Sequence, residues 1–318
     1  MNIILKNTFK IVLFLIILCF LLLLISSFFE PKTNNKEDGM RDVRLNAILG
    51  EKDNTIDVLF LGDSEVFSSI SPMEMYNNHG FTSFVLGSAA QQLHYTKYLL
   101  ARTLKNQKPK VVVLETNAIY RKIEPTGPIF RKLQNWFSIF EYHNRWKSLK
   151  FSDLNLSFNY DYNSEFKGYT YKPGIKGSKT YDYMNPTKDG KEIETLNKKY
   201  LLAMIELCKE NNIEFILLST PSTKNWNYYK HEGIKRFANE YSIPYIDLNL
   251  MKNEIAIDWE RDTCDEGDHM NYYGAVKVSK FIGNYLVNNY KLESKKDNPD
   301  YQKWNEALPR YFKAVGKF

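Results

Sequence analysis

The chain has few cysteines and lacks the common motifs for nucleotide, cofactor and metal binding. Its 318 residues include only Cys19, Cys208 and Cys264, which have no metal-ligand spacing. Cys19 lies in an apolar stretch, so only one pair is left, and a disulfide framework is excluded for a domain of this size. There is no G-x-G-x-x-G, no P-loop and no H-E-x-x-H. The sequence therefore predicts neither a cofactor nor a metal site.

Long runs of like charge are also missing. The chain has 43 basic and 37 acidic residues and a formal net charge of +6, with no basic run of five or more. Nucleic-acid binding is therefore not indicated. A mild attraction to an anionic surface or polymer remains compatible with this charge.

One long apolar run is present, close to the N-terminus. Residues 11–29 carry no charge, and as a helix they would span about 28 Å, at ~1.5 Å per residue. This length matches a bilayer core, and Lys6 and Lys10 before it place residues 1–10 in the cytoplasm and the rest outside. A cleaved signal peptide is the alternative, because Ser26 and Ser27 would permit cleavage. The run is longer than the apolar part of most signal peptides, which favours an uncleaved transmembrane anchor.

Beyond a polar linker, residues 30–50, apolar segments alternate with segments of helical spacing. The predicted strands are 56–61, 84–86, 110–115, 214–219 and 244–248, and the predicted helices are 92–106, 192–211, 231–241 and 273–290. Continuous runs such as Val-Val-Val-Leu favour strands that are buried on both faces of a parallel sheet. We predict an α/β fold, a three-layer sandwich with a mostly parallel five-stranded sheet, over residues 51–292.

Two segments fall outside this alternation. Residues 122–190, between the third and fourth strands, are rich in Tyr, Asn, Lys, Gly and Pro, with a helix predicted over 130–140. Insertions of this length at strand ends often carry function, for example as substrate-binding lids, and the alternative is a disordered stretch. Residues 293–318 are predicted to be a C-terminal tail without a function of its own.

A candidate nucleophile follows the first predicted strand. Gly62-Asp63-Ser64 would form a tight turn, with Ser64 opening a helix at the carboxyl edge of the sheet. Open α/β sheets bind their ligands at that edge. The Ser64 backbone N–H would point towards the same space and could receive an oxyanion.

A serine hydroxyl needs a base, and His269 is the best candidate. The chain has five histidines, and His269 alone is surrounded by acids, namely Asp265, Glu266 and Asp268. A nearby carboxylate can hold the imidazole tautomer and stabilise the imidazolium. The sequence leaves the supporting acid open, with Asp265 and Asp268 weighted equally and Glu266 behind them.

The order of these segments resembles the SGNH/GDSL hydrolase superfamily, whose fold is flavodoxin-like. Gly62-Asp63-Ser64 matches the first block and Gly87 matches the glycine of the second. In the third block only Asn117 matches, because the usual preceding glycine is missing. His269 matches the histidine of the last block, although Glu266 stands where that family usually has aspartate.

More narrowly, the chain is similar to membrane-anchored SGNH proteins of Gram-positive bacteria, including the D-alanyl transfer protein of teichoic-acid modification. The segments that carry this likeness are 268–275 and 220–222. The resemblance implies an extracytoplasmic esterase or O-acyltransferase that acts on an acylated carbohydrate or wall polymer. It also implies a membrane-bound O-acyltransferase as a partner.

The same resemblance implies a chemistry. Ser64 would attack an ester, His269 would take its proton, and an acyl-enzyme would form. The backbone N–H groups of Ser64 and Gly87 and the side-chain amide of Asn117 would form the oxyanion hole. Two alternatives stay open: a carbohydrate esterase that uses water, and a non-catalytic partner that positions an acyltransferase.

Overall fold

The structure, a computed structural model, describes residues 3–317. Met1 and Asn2, in the predicted cytoplasmic segment, and Phe318, in the predicted tail, lie outside the described residues. The chain divides into two compact units. Unit 1 comprises Met1–Gly50 and Glu124–Tyr162, and unit 2 comprises Glu51–Ile123 and Asn163–Phe318.

Unit 2 contains the predicted parallel five-stranded sheet, which confirms the α/β fold class. The strands are β1 Val58–Gly62, β2 Ser83–Gly87, β3 Val111–Glu115, β4 Glu214–Ser219 and β5 Tyr245–Asp247. Their order is β2-β1-β3-β4-β5, and every neighbouring pair is parallel. All carboxyl ends therefore meet at one edge, where the polar loops of unit 2 converge.

Helices cover both faces of this sheet. They are α3 Ser64–Ser69, α4 Pro72–His79, α5 Leu93–Thr103, α8 Thr195–Glu210, α9 Tyr228–Tyr241, α10 Lys252–Ile255, α11 Tyr272–Asn289 and α12 Gln302–Ala314. One apolar cluster joins Val58 and Phe60 of β1 to Val278 and Ile282 of α11. Because side chains alternate along a strand, the β1 residues that follow Val58 and Phe60 point to the opposite face of the sheet. The helices α5 and α8 pack together on that face.

The segment predicted as a tail contributes a packed helix. Trp304 and Tyr311 of α12 are buried. The Tyr311 hydroxyl lies 2.9 Å from the Ser71 hydroxyl, and Trp304 Nε1 donates to Glu51. Glu51 also accepts from the buried Lys167 at 2.8 Å, which fastens the second part of the predicted insertion to unit 2.

Unit 1 contains α1 Ile3–Phe29, α2 Val43–Asn46, α6 Gly127–Trp136 and α7 Ile139–Tyr142. Within the described residues, α1 is long and apolar enough to cross a membrane. The helix predicted within 130–140 is present, but it is divided between α6 and α7. The chain leaves helical geometry at Phe137, with φ −133° and ψ 93°, and starts again at Ile139.

Candidate active site

The turn between β1 and α3 presents Ser64 as the sequence predicts. Asp63 caps α3, because its Oδ1 accepts from the Glu65 backbone N–H at 3.0 Å. Asp63 and Glu65 are buried, whereas Ser64 between them is partly exposed. A β-carbon on Gly62 would lie 2.7 Å from the Glu115 β-carbon, so the turn requires glycine there.

The loop before α11 folds Asp265 onto His269. The Asp265 carboxylate accepts from His269 twice, with Oδ2 2.6 Å from Nδ1 and Oδ1 2.7 Å from the backbone N. Positive φ values at Glu266 (64°) and Gly267 (88°) turn the chain back on itself and make this contact possible. Burial raises the pKa of Asp265, but the hydrogen bonds from His269 outweigh it and the pKa is lowered.

The other two candidate acids have different neighbours. Glu266 points towards solvent, where it pairs with Lys176 and Lys224 at 3.0 and 3.1 Å. Asp268 Oδ1 lies 3.7 Å from His269 Nδ1 and accepts a hydrogen bond from the Asn225 amide. Of the three acids, Asp265 therefore has the geometry of the histidine's supporting carboxylate.

The contact with Asp265 uses Nδ1 of the His269 ring and leaves the second ring nitrogen, Nε2, available. Nε2 is buried and has no hydrogen-bond partner among residues 3–317. A ring nitrogen of His269 and carboxylate oxygens of Glu65 and Asp268 all lie within 4.8 Å of one another. His269 is thus brought beside the residue that follows Ser64. The Ser64–Nε2 hydrogen bond itself is not formed, and such bonds often tighten only when substrate binds.

Asn225 is a site residue that the sequence analysis missed. Its amide donates to Glu65 Oε1 at 2.6 Å and to Asp268 Oδ1, so it joins the two halves of the site. It lies in the loop after β4, where Ser222 Oγ donates to the Asp268 carbonyl at 2.8 Å. The sequence could have indicated Asn225, because it lies just beyond a predicted buried strand, as Ser64 does.

The carboxylates of Glu65 and Asp268 and the His269 ring are the candidate ligands for a cation at this site. Each offers one ligand atom within 4.8 Å of the others. The Asn225 amide already donates to both carboxylates. Because an amide N–H group does not ligate a cation, the arrangement fits a hydrogen-bonded network better than a metal centre.

Asn117 lies on the other side of the nucleophile turn. Its Nδ2 donates to Asp63 Oδ2 at 3.1 Å, and its Oδ1 accepts from Lys230 Nζ at 3.1 Å. Arg121 Nε also donates to Asp63 Oδ2, at 2.7 Å. An amide nitrogen has two hydrogens, so the contact with Asp63 leaves Nδ2 one further donor. The predicted oxyanion role of Asn117 stays a prediction.

Gly87 lies directly beside the nucleophile turn. It pairs with Gly62 in the register between β2 and β1. A β-carbon on Gly87 would lie 2.6 Å from Val66 Cγ1 and 2.9 Å from the Asp63 carbonyl oxygen. Only glycine lets the end of β2 come this close to Asp63 and Val66, which lie on either side of Ser64 in the sequence. Its predicted oxyanion role, like that of the Ser64 N–H, stays a prediction.

Two buried glutamates near Ser64 have raised pKa values. Burial, with the charges of Asp63 and Glu115, raises the pKa of Glu65 well above its ordinary 4.5. Burial and the charge of Asp63 also raise the pKa of Glu115 well above its ordinary value. Glu65 Oε2 also has no hydrogen-bond partner in the described part of the chain. The interior beside the nucleophile therefore favours a neutral carboxyl group at Glu65.

We expect Glu65→Gln to stabilise the protein at neutral pH. Between 4.5 and the raised pKa, Glu65 ionises on unfolding but stays protonated in the folded protein, so wild-type stability falls as pH rises. Each unit of raised pKa costs about 1.4 kcal/mol. Glutamine does not ionise and keeps an oxygen for Asn225, so its stability should depend less on pH. Denaturant unfolding at pH 5 and pH 8 measures both effects.

The matched control for that comparison is Glu266→Gln, because Glu266 is exposed and paired only with surface lysines. It should leave the slope of stability against pH nearly unchanged. A Glu65→Gln protein that is less stable than wild type at both pH values would contradict a neutral Glu65.

Comparisons with known proteins add distant structural likenesses. No protein-family model matches the chain, and no curated protein is significantly similar in sequence. A GDSL-like lipase from Bacteroides thetaiotaomicron is 12% identical, with a TM-score of 0.37, 73% of this chain covered and 88% of the other. A lipase/acylhydrolase from Enterococcus faecalis is 11% identical, with a TM-score of 0.37, 76% of this chain covered and 99% of the other. The case for an activity rests on the site geometry described above.

Proposed function

We propose that the protein is an extracytoplasmic serine esterase or O-acyltransferase that acts on acyl esters of cell-wall or surface polysaccharide. The observation that carries the proposal is the pairing of Asp265 with His269 Nδ1, which leaves Nε2 available as a base, with the His269 ring beside Glu65, the residue that follows Ser64. A neutral imidazole held in this way has its free lone pair on Nε2 and can act as a base.

In the proposed reaction, Ser64 Oγ attacks the ester carbonyl carbon while His269 Nε2 takes its proton. The tetrahedral oxyanion is held by the Ser64 and Gly87 N–H groups and the Asn117 amide. The His269 proton then passes to the leaving alcohol, and an acyl-enzyme remains. Water, in an esterase, or a sugar hydroxyl, in a transferase, then gives its proton to His269 and takes the acyl group. The bond from the acyl carbon to Ser64 Oγ breaks, and His269 returns the proton to Oγ.

The proposed location follows from α1 and the lysines before it. Lys6 and Lys10 flank the apolar run on its N-terminal side. The positive-inside rule then places unit 2 outside the cell, where polymers with acyl esters are accessible.

One assay tests activity and orientation together. Intact protoplasts that express the chain are given an O-acetylated polysaccharide too large to cross the membrane. We expect them to release acetate, or to move acetyl groups to an added polysaccharide acceptor. Release only after lysis would contradict the outside location, and no release or transfer in either sample would contradict the enzymatic function.

A second candidate function is a non-catalytic partner of a membrane-bound O-acyltransferase. It is favoured by the missing hydrogen bond between Ser64 and His269, since Nε2 has no hydrogen-bond partner among residues 3–317. Such a protein would need the fold but not the nucleophile. Polysaccharide acylation in cells that depends on the chain, but not on Ser64, would identify it.

A further inference from the structure

Unit 1 exposes a set of large apolar side chains that the proposed activity does not use. We call this set the aromatic face; its members are Ile129, Phe130, Trp136, Phe140, Trp146 and Phe151. Trp136 is 65% exposed, Trp146 64% and Phe151 94%. Soluble proteins rarely expose so many large apolar side chains close together, and such patches usually mark an interaction site.

The helix α6 within this face is amphipathic. Ile129, Leu133 and Trp136 follow the i, i+4, i+7 spacing of one side of a helix, with Phe130 next to them. The opposite side carries Arg131, Gln134 and Asn135, and Lys132 lies at the border beside Trp136. None of the α6 residues is buried. A helix with aromatic and aliphatic residues on one side, polar residues on the other and a lysine at the border is typical of a membrane interface.

Hydrogen bonds fasten this segment to the last turns of α1. The Ser138 hydroxyl donates to the Ser26 carbonyl at 3.0 Å, and the Ile139 N–H donates to the Ser26 hydroxyl at 3.2 Å. The Arg145 guanidinium donates to the Phe29 carbonyl at 2.7 Å, at the end of the helix. These contacts hold α6 and α7 at the level where α1 would leave the hydrocarbon.

Arg145 is itself held by a buried ion pair. Its Nη2 lies 2.6 Å from Asp153 Oδ1, and both side chains are almost fully buried. Removing either partner of a buried pair leaves an unpaired charge, so the pair keeps the segment in one arrangement. Trp146 follows Arg145 directly, and its position relative to α1 is therefore defined.

We infer that the aromatic face lies in the headgroup layer of the bilayer, as a second membrane contact beside α1. The inference rests on the proposed membrane anchor. A surface held at the exit of a membrane-spanning helix meets lipid before any other partner. Trp is enriched at that boundary, where one part of its ring system is apolar and the N–H group reaches water. Lysines near the face, such as Lys132 and Lys147, can extend towards the lipid phosphates.

The five tryptophans of the chain allow a direct test. Trp226, Trp259 and Trp304 are buried in unit 2, whereas Trp136 and Trp146 are exposed in unit 1. The full-length protein is reconstituted into vesicles whose lipids carry bromine high in the acyl chains. We expect the bromolipid to quench wild-type emission. The double variant Trp136→Phe, Trp146→Phe should lose this quenching, whereas the matched single variant Trp259→Phe should keep it.

Aqueous iodide supplies the opposing measurement. If iodide quenches Trp136 and Trp146 and bromolipid does not, the face lies in water and the inference is wrong. If neither reagent quenches them, protein covers the face, which also overturns the inference. Flotation of the vesicles separates these outcomes from failure of the anchor, because a chain that does not float with lipid contradicts both proposals.

Discussion

Replacing Ser64 by alanine is expected to reduce ester hydrolysis by at least about 10⁴-fold and to abolish labelling by a fluorophosphonate probe. The hydroxyl is the proposed nucleophile, and its loss removes the covalent step while the oxyanion donors remain. Ser64 is partly exposed, and its hydroxyl makes no hydrogen bond with His269 Nε2. The melting temperature should therefore change little.

Ser69→Ala is the matched control for this variant. Ser69 lies on the same helix, α3, and its buried hydroxyl has no hydrogen-bond partner among residues 3–317. Its replacement should keep both labelling and turnover. Equal labelling of the Ser64→Ala protein and wild type would refute the assignment of the nucleophile. Absence of labelling in both would favour the non-catalytic partner, because an unactivated serine is inert.

Replacing Asp265 by asparagine is expected to lower turnover by about 10⁴-fold, as in other Ser-His-Asp enzymes. Asparagine presents an N–H group as readily as an oxygen to His269 Nδ1, so the wrong tautomer of the imidazole is stabilised. The side-chain carbonyl of the asparagine can still accept from the His269 backbone N–H, as the Asp265 carboxylate does. Turnover should therefore fall much further than stability.

Two neighbouring acids provide the comparison. Glu266→Gln should be close to wild type, since Glu266 pairs only with exposed lysines, and such pairs contribute about 0–1 kcal/mol. Asp268→Asn should have an intermediate effect, because it weakens the contact with Asn225. Turnover and melting temperature are measured for all three variants. Near-normal turnover of Asp265→Asn would mean that His269 works without this carboxylate.

The dependence of stability on pH should also separate Asp265 from the buried Glu65. The pKa of Asp265 is lowered by its contacts with His269, so its contribution to stability is present above 3.8 and is lost as pH falls through the lowered pKa. The raised pKa of Glu65 acts in the opposite direction, at higher pH. The two effects therefore appear in different pH ranges when the free energy of unfolding is measured against pH.

Features that depend on local patterns could be predicted from the amino-acid sequence. Runs such as Val111–Glu115 have no polar side chain until their last residue, and only a strand covered on both faces accommodates them. The order of strands and helices then placed Ser64 at a strand-to-helix turn, because consecutive parallel strands end at one edge of a sheet. The apolar helix α1 could be predicted as well, because its uncharged, apolar composition distinguishes it from the other helices of the chain.

Which side chains meet at that edge depends on the folded chain and could not be predicted from the sequence. Asp265 contacts His269 because two successive residues take positive φ, a choice that sequence spacing does not specify for Glu266. Asn225 joins Glu65 to Asp268 although the three lie far apart along the chain. Loop conformations of this kind follow from packing between distant segments, and neither periodicity nor composition encodes them.

The same reason applies to unit 1. Residues 30–50 are polar and were predicted to be a linker, and residues 124–162 were assigned to an insertion between two strands. In the structure the two segments belong to one compact unit with α1. Their association depends on contacts such as those of the Asn34 amide with the Tyr162 carbonyl and of Lys150 Nζ with Asp38 Oδ1, each at 2.8 Å. Each partner is ordinary in its own stretch of sequence, and the contact arises only when the chain brings them together.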